Sequence, residues 1–348
     1  KKRPEGINTD VGRQTIQSIT VGVYPTNHAQ EVKYLLGHSE SKVLFAEDQE
    51  QVDKVLEVID DLPELEKIVY FESRGITKYD NEKLISWYEF SEIGKEEFNK
   101  DKEFVNDKVH NINSEDTAIM IYTSGTTGPP KGSMLTHGHL EWVASQTPKL
   151  SFTTGVDNPA YLPYLPLCYG CGRLVDLIIG IHTMGTINFA ESIDTVHTDL
   201  AEVQPSVFPA VPRILERMHA GALVKMKDAS RLKQLLFTAA SKLGDITAKR
   251  RLEIGEGDII AHITNFFAQL LGFRELRKKL GLLNVDHALS GATPISPAIL
   301  RFFMSIGVPI YEGYGMTENS AIATGNRHGR VKLGTVGIAQ PGVEIKLA

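Results

Sequence analysis

Tyr-Thr-Ser-Gly-Thr-Thr-Gly-Pro-Pro-Lys-Gly, residues 122–132, follows the apolar run Ala118-Ile119-Met120-Ile121. That run is short and rich in β-branched residues, and it predicts a buried strand. Between Thr123 and Gly132 stand four hydroxyl side chains, three glycines and one lysine. Glycines let backbone N–H groups crowd around an anion, hydroxyls add donors, and lysine adds a point charge. The combination is suited to phosphate. The Walker A loop, Gly-x-x-x-x-Gly-Lys-Ser/Thr, also cradles phosphates after a strand, but it does not fit. Here Pro130 precedes Lys131, and the glycine follows it as Gly132.

Outward from this loop, residues 20–72 alternate strand and helix. Val21 to Tyr24 reads as a strand. Asn27 with Gln30 offers a capping box for a helix whose apolar face is Val32, Leu35 and Leu36, stopped by Gly37. Lys42 to Ala46 is a second strand. Val52, Val55, Leu56 and Ile59 form the stripe of an amphipathic helix ended by Leu62-Pro63, and Lys67 to Phe71 is a third strand. Such alternation predicts a parallel sheet covered by helices. Residues 73–115 are polar and read as an irregular excursion.

After the loop, Leu140 to Ser145 predicts a helix. Ala160 to Leu167 is strand-like, with Pro163 and Pro166 confining it to an edge or a strand end. Leu174 to Ile181 predicts a buried helix and Thr186 to Phe189 a strand. Residues 219–286 alternate leucine-rich runs with clusters of Lys and Arg. Interspersed acids favour a solvated helical region, with long basic side chains over apolar faces, against a contact surface for anionic lipid or an acidic partner.

Val285 to Leu289 predicts a strand leading into Ser290-Gly291-Ala292-Thr293-Pro294. Ser296 then caps a helix with Pro297 at its first position and Gly307 at its end. Val308 to Tyr311 is the next strand, delivering Glu312-Gly313-Tyr314-Gly315-Met316-Thr317-Glu318. This segment supplies what an ATP site needs. Tyr314 can stack on adenine, and glycines admit the ring to the backbone. Thr317 can bond the α-phosphate, and Glu318 is a hard oxygen ligand for Mg2+. In an open α/β sheet such segments lie at carboxyl ends of strands, where ligands bind.

The blocks 122–135, 290–294 and 312–320 together resemble the acyl-adenylate-forming (AMP-binding) enzymes. Tyr164-Leu165-Pro166-Leu167 with Arg173, and Val203 to Arg217, are most similar to long-chain fatty acyl-CoA synthetases (AMP-forming). The resemblance covers nearly the whole chain. It implies an α/β fold of layered parallel or mixed sheets covered by helices, the large N-terminal domain of an adenylate-forming enzyme, the C-terminal domain being absent from this chain. Residues 1–348 are then one incomplete adenylation domain with four subregions. These are 1–115, a first α/β subdomain; 116–218, phosphate loop and acyl pocket; 219–286, a helical insertion; and 287–348, the adenine and Mg2+ loop.

The implied chemistry is attack of a long-chain fatty acid carboxylate on ATP, giving acyl-AMP and pyrophosphate, then transfer of the acyl group to CoA. Lys131, Thr317 and Glu318 are the expected catalytic residues. Thr123, Ser124, Gly125, Thr126, Thr127, Gly128 and Lys131 would hold phosphates, with Gly291, Ala292, Glu312, Gly313, Tyr314, Gly315 and Thr317 around the nucleotide. Thr123 and Glu318 would place Mg2+. Tyr169, Phe208 and Pro209 would line the acyl pocket. Other acid activators (an aryl-CoA ligase, a peptide-synthetase adenylation domain) and a weakly active nucleotide-binding scaffold stay open.

Three departures stand out. Tyr169 stands where relatives often carry His, and the second glycine of Ser-Gly-Gly-Ala is missing. The family's Thr-Gly-Asp segment and C-terminal lysine are not among these 348 residues.

Composition sets the partners. A length of 348 residues suits two or three domains or subdomains, and 42% hydrophobic with 23% charged residues is ordinary for a globular chain. A net charge of −6 without a basic tract argues against nucleic acid. Asp176 and His182 interrupt the most apolar stretch, 174–190, so no span is expected. Cys168 and Cys171 read as reduced cysteines in a packed segment of a cytoplasmic protein, and His137 and His139 as surface residues at a helix start. Partners are therefore small molecules (fatty acid, ATP, CoA), with peripheral membrane contact and a homodimer left open.

Overall fold

The computed structural model describes residues 3–124, 128–147, 157–255, 257–285 and 287–347. The chain divides into two compact units, Lys1–His139 with Pro166–Tyr169, and Leu140–Leu165 with Gly170–Ala348.

The first unit begins with α1 (Pro4–Thr15), β1 (Thr20–Gly22), α2 (Ala29–His38), β2 (Val43–Ala46) and α3 (Gln49–Leu56). It continues with β3 (Lys67–Tyr70), β4 (Leu84–Ser86), α4 (Trp87–Lys100), α5 (Phe104–His110), β5 (Thr117–Thr123) and β6 (Lys131–Thr136). Strands β2, β3 and β4 form one parallel sheet. Its core joins Val32 and Leu36 of α2 to Val52, Val55 and Ile68. The first strand of the βαβ alternation does not join that sheet. It pairs instead with β5, far along the chain, in a second sheet ordered β1-β5-β6.

Two local expectations are corrected. Helix α2 is capped at His28, whose backbone N–H donates to the Glu31 carboxylate at 2.9 Å, one residue beyond the expected box. It runs through Gly37, and the left-handed residue beyond it is Glu40, at φ 50°. Residues 73–115 are not irregular, since they hold β4, α4 and α5. Helix α4 buries no residue. Its capping box carries it instead: the Glu89 N–H donates to Ser86 Oγ at 3.2 Å, and the Ser86 N–H donates to the Glu89 carboxylate at 3.0 Å. Trp87 and Phe90 add edge contacts on Phe45.

Helix α6 (His137–Gln146) crosses from the first unit into the second. There follow β7 (Ala160–Tyr161), α7 (Gly170–Arg173), a π-helical turn at Leu174–Ile178, α8 (Ile179–His182), β8 (Thr186–Ile187), α9 (Val196–Val203) and β9 (Val207–Ala210). Next are α10 (Pro212–Lys227), α11 (Arg231–Glu253), α12 (Ile259–Ala268), a second π-helical turn at Gln269–Phe273, and α13 (Arg274–Lys279). The chain closes with β10 (His287–Ser290), α14 (Pro297–Ser305), β11 (Ile310–Tyr314), a 3-10 turn at Thr317–Asn319, β12 (Thr324–Gly325) and β13 (Ile338–Ala339).

These seven strands form one sheet, ordered β13-β12-β11-β10-β9-β7-β8. From β8 to β11 neighbours run parallel, and β12 and β13 are antiparallel additions. Strand β7 ends before Pro163, as a missing N–H demands, although it lies inside the sheet. The core gathers Phe208, Ala288 and Ile310 of the sheet with Leu215 of α10, Ala240 of α11 and Leu300 and Phe303 of α14. Glycine 307, at φ 88°, ends α14 as expected.

Candidate active site

The first cluster sits on the β5–β6 hairpin. Antiparallel pairing sets Thr123 directly opposite Lys131, so both side chains share one face of the ribbon at the mouth of the loop. The loop joins strand to strand, whereas a Walker A loop opens into a helix. Gly128 holds φ 83°, a left-handed conformation glycine takes without a side-chain clash. Ser124 is exposed, and Gly125, Thr126 and Thr127 lie outside the described residues. The frame beneath is fixed: Tyr34 Oη donates to the Pro130 carbonyl at 2.9 Å, and Tyr122 Oη bonds His38 Nδ1 at 2.7 Å. Burial pushes the Tyr122 phenol up, which keeps it a neutral strut. Lys131 is exposed and pairs with no carboxylate among the described residues, so its charge is free for an anion.

Three other expectations concern residues 137–171. Cys168 packs on Gly22, where an added Cβ would stand 2.6 Å from the Cys168 Cα; neither cysteine is in a disulfide. Tyr169 is half-buried beside Tyr24, whose phenol is pushed up to about 12 by burial first and by Cys168 and Tyr169 next. His139 Nδ1 accepts the Thr136 N–H at 3.0 Å and the His139 N–H donates to Thr136 Oγ1 at 3.3 Å, so His139 closes the start of α6.

The second cluster is built where parallel strands β9, β10 and β11 end together. Register aligns Ala210, Ser290 and Glu312 across the three strands. A Cβ on Gly291 would lie 3.0 Å from the Gly313 carbonyl, and one on Gly315 would run into the Ala321 backbone. The glycines are therefore required for close packing of the two segments. Ala292 holds φ 74°. The expected loop is in part strand, since β11 runs through Tyr314. Tyr314 stands out from the surface, 48% exposed. Thr317 opens the 3-10 turn with Oγ1 3.2 Å from where a Gly170 Cβ would be, so the start of α7 lies against it. Glu318 is exposed and makes no hydrogen bond or ion pair among the described residues.

Glu312 plays a different part. It is buried, its Oε2 accepts the Gly334 N–H at 3.0 Å, and burial pushes its carboxyl above the usual range. Asn326, which nothing in the sequence singled out, completes that tie. Its N–H donates to the Glu312 carbonyl at 2.9 Å, its side chain to the Thr335 carbonyl at 2.7 Å, and its Oδ1 accepts the Lys332 N–H at 2.9 Å. Phe208 and Pro209 are fully buried, with Phe208 6.3 Å from the Tyr164 ring in the core.

Two buried hydroxyls at the strand ends, Ser290 Oγ and Thr324 Oγ1, have no partner among the described residues. Native proteins rarely leave such groups unused, and both register against the Glu312–Tyr314 segment. Polar groups of a bound ligand suit this place. For a metal, no cluster of three or more His, Cys, Asp or Glu exists among the described residues. A lone free carboxylate such as Glu318 fits Mg2+ that arrives with substrate phosphates, which takes one or two carboxylates and keeps several waters.

An exposed aromatic, a hydroxyl and a carboxylate at parallel strand ends, with a hydroxyl-glycine-lysine hairpin elsewhere in the chain, are the groups that a nucleotide-binding α/β protein would present. Comparison with known families gives the class its name. The AMP-binding enzyme family matches residues 1–348, and the chain belongs to that family. It is 31% identical over 318 residues to the long-chain-fatty-acid–CoA ligase ACSBG2 of Xenopus laevis, covering 89% of this chain and 42% of that protein. To the ACSBG2 of Mus musculus it is 33% identical over 327 residues, covering 91% of the chain and 47% of the relative. The chain thus spans about half the length of the curated relatives it matches. Among solved structures, the N-terminal domain of FACL13 from Mycobacterium tuberculosis superposes with a TM-score of 0.59 at 17% identity, over 98% of this chain and 67% of that one. The fold is that of the N-terminal domain of adenylate-forming enzymes.

Proposed function

We propose that this chain carries the adenylating site of an AMP-forming acid–CoA ligase acting on a fatty acid, most simply a long-chain one. The carboxylate attacks the α-phosphorus of ATP, giving acyl-AMP and pyrophosphate; the thiol of CoA then attacks the acyl carbon and AMP leaves. The observation that carries this reading is the β10–β11 strand-end cluster, where exposed Tyr314 and Glu318 and half-buried Thr317 stand beside glycines packed backbone to backbone. The long-chain preference is supported by the names of the relatives and by nothing in the pocket geometry. Tyr314 would stack on adenine and Thr317 would stabilise charge developing on the α-phosphoryl group; Lys131 and the segment Ser124 to Gly128 would serve as phosphate-binding groups. Glu318 would hold Mg2+, whose chemistry is neutralisation of phosphate charge. Glu312 would act through the loop it fixes, and Tyr169, Phe208 and Pro209 would shape the acyl side.

ATP–pyrophosphate exchange across saturated acids from short to very long tests the reading. Exchange should require added acid and peak with long chains, and Lys131→Ala should lower it about 100-fold with every acid. Exchange that proceeds equally without acid would overturn it, and a maximum with aromatic acids would move the substrate to an aryl-CoA ligase.

A further inference from the structure

Helix α12 is turned inside out. Apart from exposed His262, its polar residues face the protein: Thr264 Oγ1 bonds Thr247 Oγ1 of α11 at 2.7 Å, and Gln269 Nε2 donates to Asn265 Oδ1 at 3.1 Å and to the Ile306 carbonyl at 2.9 Å. Ala261 and Ala268, fully buried, complete that inner face. The outer face is Ile259, Ile260, Ile263, Phe266, Phe267 and Leu270, each between 47% and 73% exposed. A water-facing helix normally shows the reverse arrangement, and contiguous apolar surface of this kind marks a contact.

Charge says which contact. From Ile259 to Phe273 no residue is charged, whereas residues 249–279 carry seven Lys or Arg against four Asp or Glu in a chain of net charge −6. The basic residues stand at both ends of the apolar run. At the first, Arg250 is tied to Asp258 at 2.6 Å, and Lys249 reaches Glu253 only at 3.9 Å. At the second, Arg277 is used on the Leu282, Leu283 and Val285 carbonyls. Arg274, Lys278 and Lys279 there are exposed and pair with no carboxylate among the described residues. None of the six outward residues is Trp, Tyr or Arg, the types that anchor protein–protein contacts. No described helix is long and apolar enough to cross a membrane.

We propose that the outer face of α12 lies in the surface of an anionic phospholipid bilayer. Its isoleucines and phenylalanines enter the boundary between headgroups and acyl chains, and Arg274, Lys278 and Lys279 meet lipid phosphates. The inference does not rest on the ligase reading, and vesicle binding is measured without turnover.

The test is flotation of the full chain with vesicles of phosphatidylcholine and phosphatidylglycerol, and with phosphatidylcholine alone. Binding to anionic vesicles should exceed binding to neutral ones by about tenfold or more, since each basic residue near the surface contributes roughly a factor of five. Lys278→Gln with Lys279→Gln should erase most of that difference. The exposed pair Phe266→Asp with Phe267→Asp should abolish binding while circular dichroism stays that of the parent. Phe266→Trp should shift its emission to the blue on adding anionic vesicles, a direct report of insertion. Absence of flotation with either vesicle would overturn the proposal. So would a dimer that Phe266→Asp with Phe267→Asp turns into monomer without any vesicle binding, which would make the face a contact between copies.

Discussion

Glu312 shows how one side chain at a strand end sets a pH dependence. Burial raises its carboxyl above the usual range, and the Gly334 N–H pulls it the other way with less effect. A carboxyl raised by folding binds its proton more tightly in the native chain than in the unfolded one. Its favourable contribution is therefore whole below the unfolded value of about 4.3 and is lost as pH rises through the folded value. Glutamine keeps an acceptor for the Gly334 N–H and cannot ionise. Glu312→Gln should match the parent near pH 4 (about the unfolded carboxyl value) and exceed it in guanidinium denaturation at neutral pH; parallel curves at all pH values would refute the burial argument. The sequence marked Glu312 as a member of the nucleotide loop but not as a tie, because the partner is a backbone N–H on a segment that only the fold brings near. Ala292 stands where the familiar pattern carries its second glycine, and it holds φ 74°, a conformation that costs a non-glycine residue energy and that clusters at functional sites; the sequence showed the missing glycine but not the backbone geometry that goes with it.

At the scale of elements, close approach decides what a local rule alone would get backwards. Gly244 lies inside helix α11, where Gly→Ala ordinarily gains about 1 kcal/mol of helix propensity. Here a Cβ would meet the Ser305 carbonyl oxygen at 2.5 Å and the Phe273 ring at 2.9 Å. A backbone carbonyl at the buried end of α14 cannot swing aside as a flexible side chain could, and overpacking of this kind costs about 1–3 kcal/mol. Gly244→Ala should therefore lose about 1 kcal/mol or more, net of propensity, read from the denaturant midpoint; a gain would mean that α11 and α14 can separate freely. Helices with an apolar stripe or a proline start, such as α3 and α14, were readable because the signal is local. Helix α4 was missed, although Ser86 and Glu89 spell its cap, because its aromatics stand scattered in a stretch dominated by charged residues. The partner of β1 was missed for the opposite reason: strand pairing across some hundred residues is set by tertiary packing, not by neighbours in sequence. The outward face of α12 was visible only as composition, since periodicity tells which residues share a face and not which face meets the protein.

Among the described residues, one apolar core gathers around Val52, Val55 and Ile68 and another around Phe208, Phe303 and Ile310. Apolar burial is the main favourable term in folding, so each core should hold its own unit against opening. Ile68 and Phe303 are both fully buried, and truncation to alanine should cost about 2–5 kcal/mol at the first and about 3–5 kcal/mol at the second. If the cores act as separate cooperative units, each loss appears where it is made. Amide hydrogen exchange followed by mass spectrometry should show Ile68→Ala speeding exchange in β2, β3 and the helices packed on them. Protection of β9, β10 and β11 should stay unchanged in that variant. Phe303→Ala should do the reverse, loosening α14 and the strands whose ends carry Ser290, Gly313 and Thr317. A single denaturation midpoint would then misdescribe this chain, because a two-state treatment assumes that all of it opens at once. Equal acceleration throughout the chain in both variants would instead make the two cores one folding unit, and would mean that damage near Ile68 loosens the Tyr314–Glu318 segment as surely as damage beneath it.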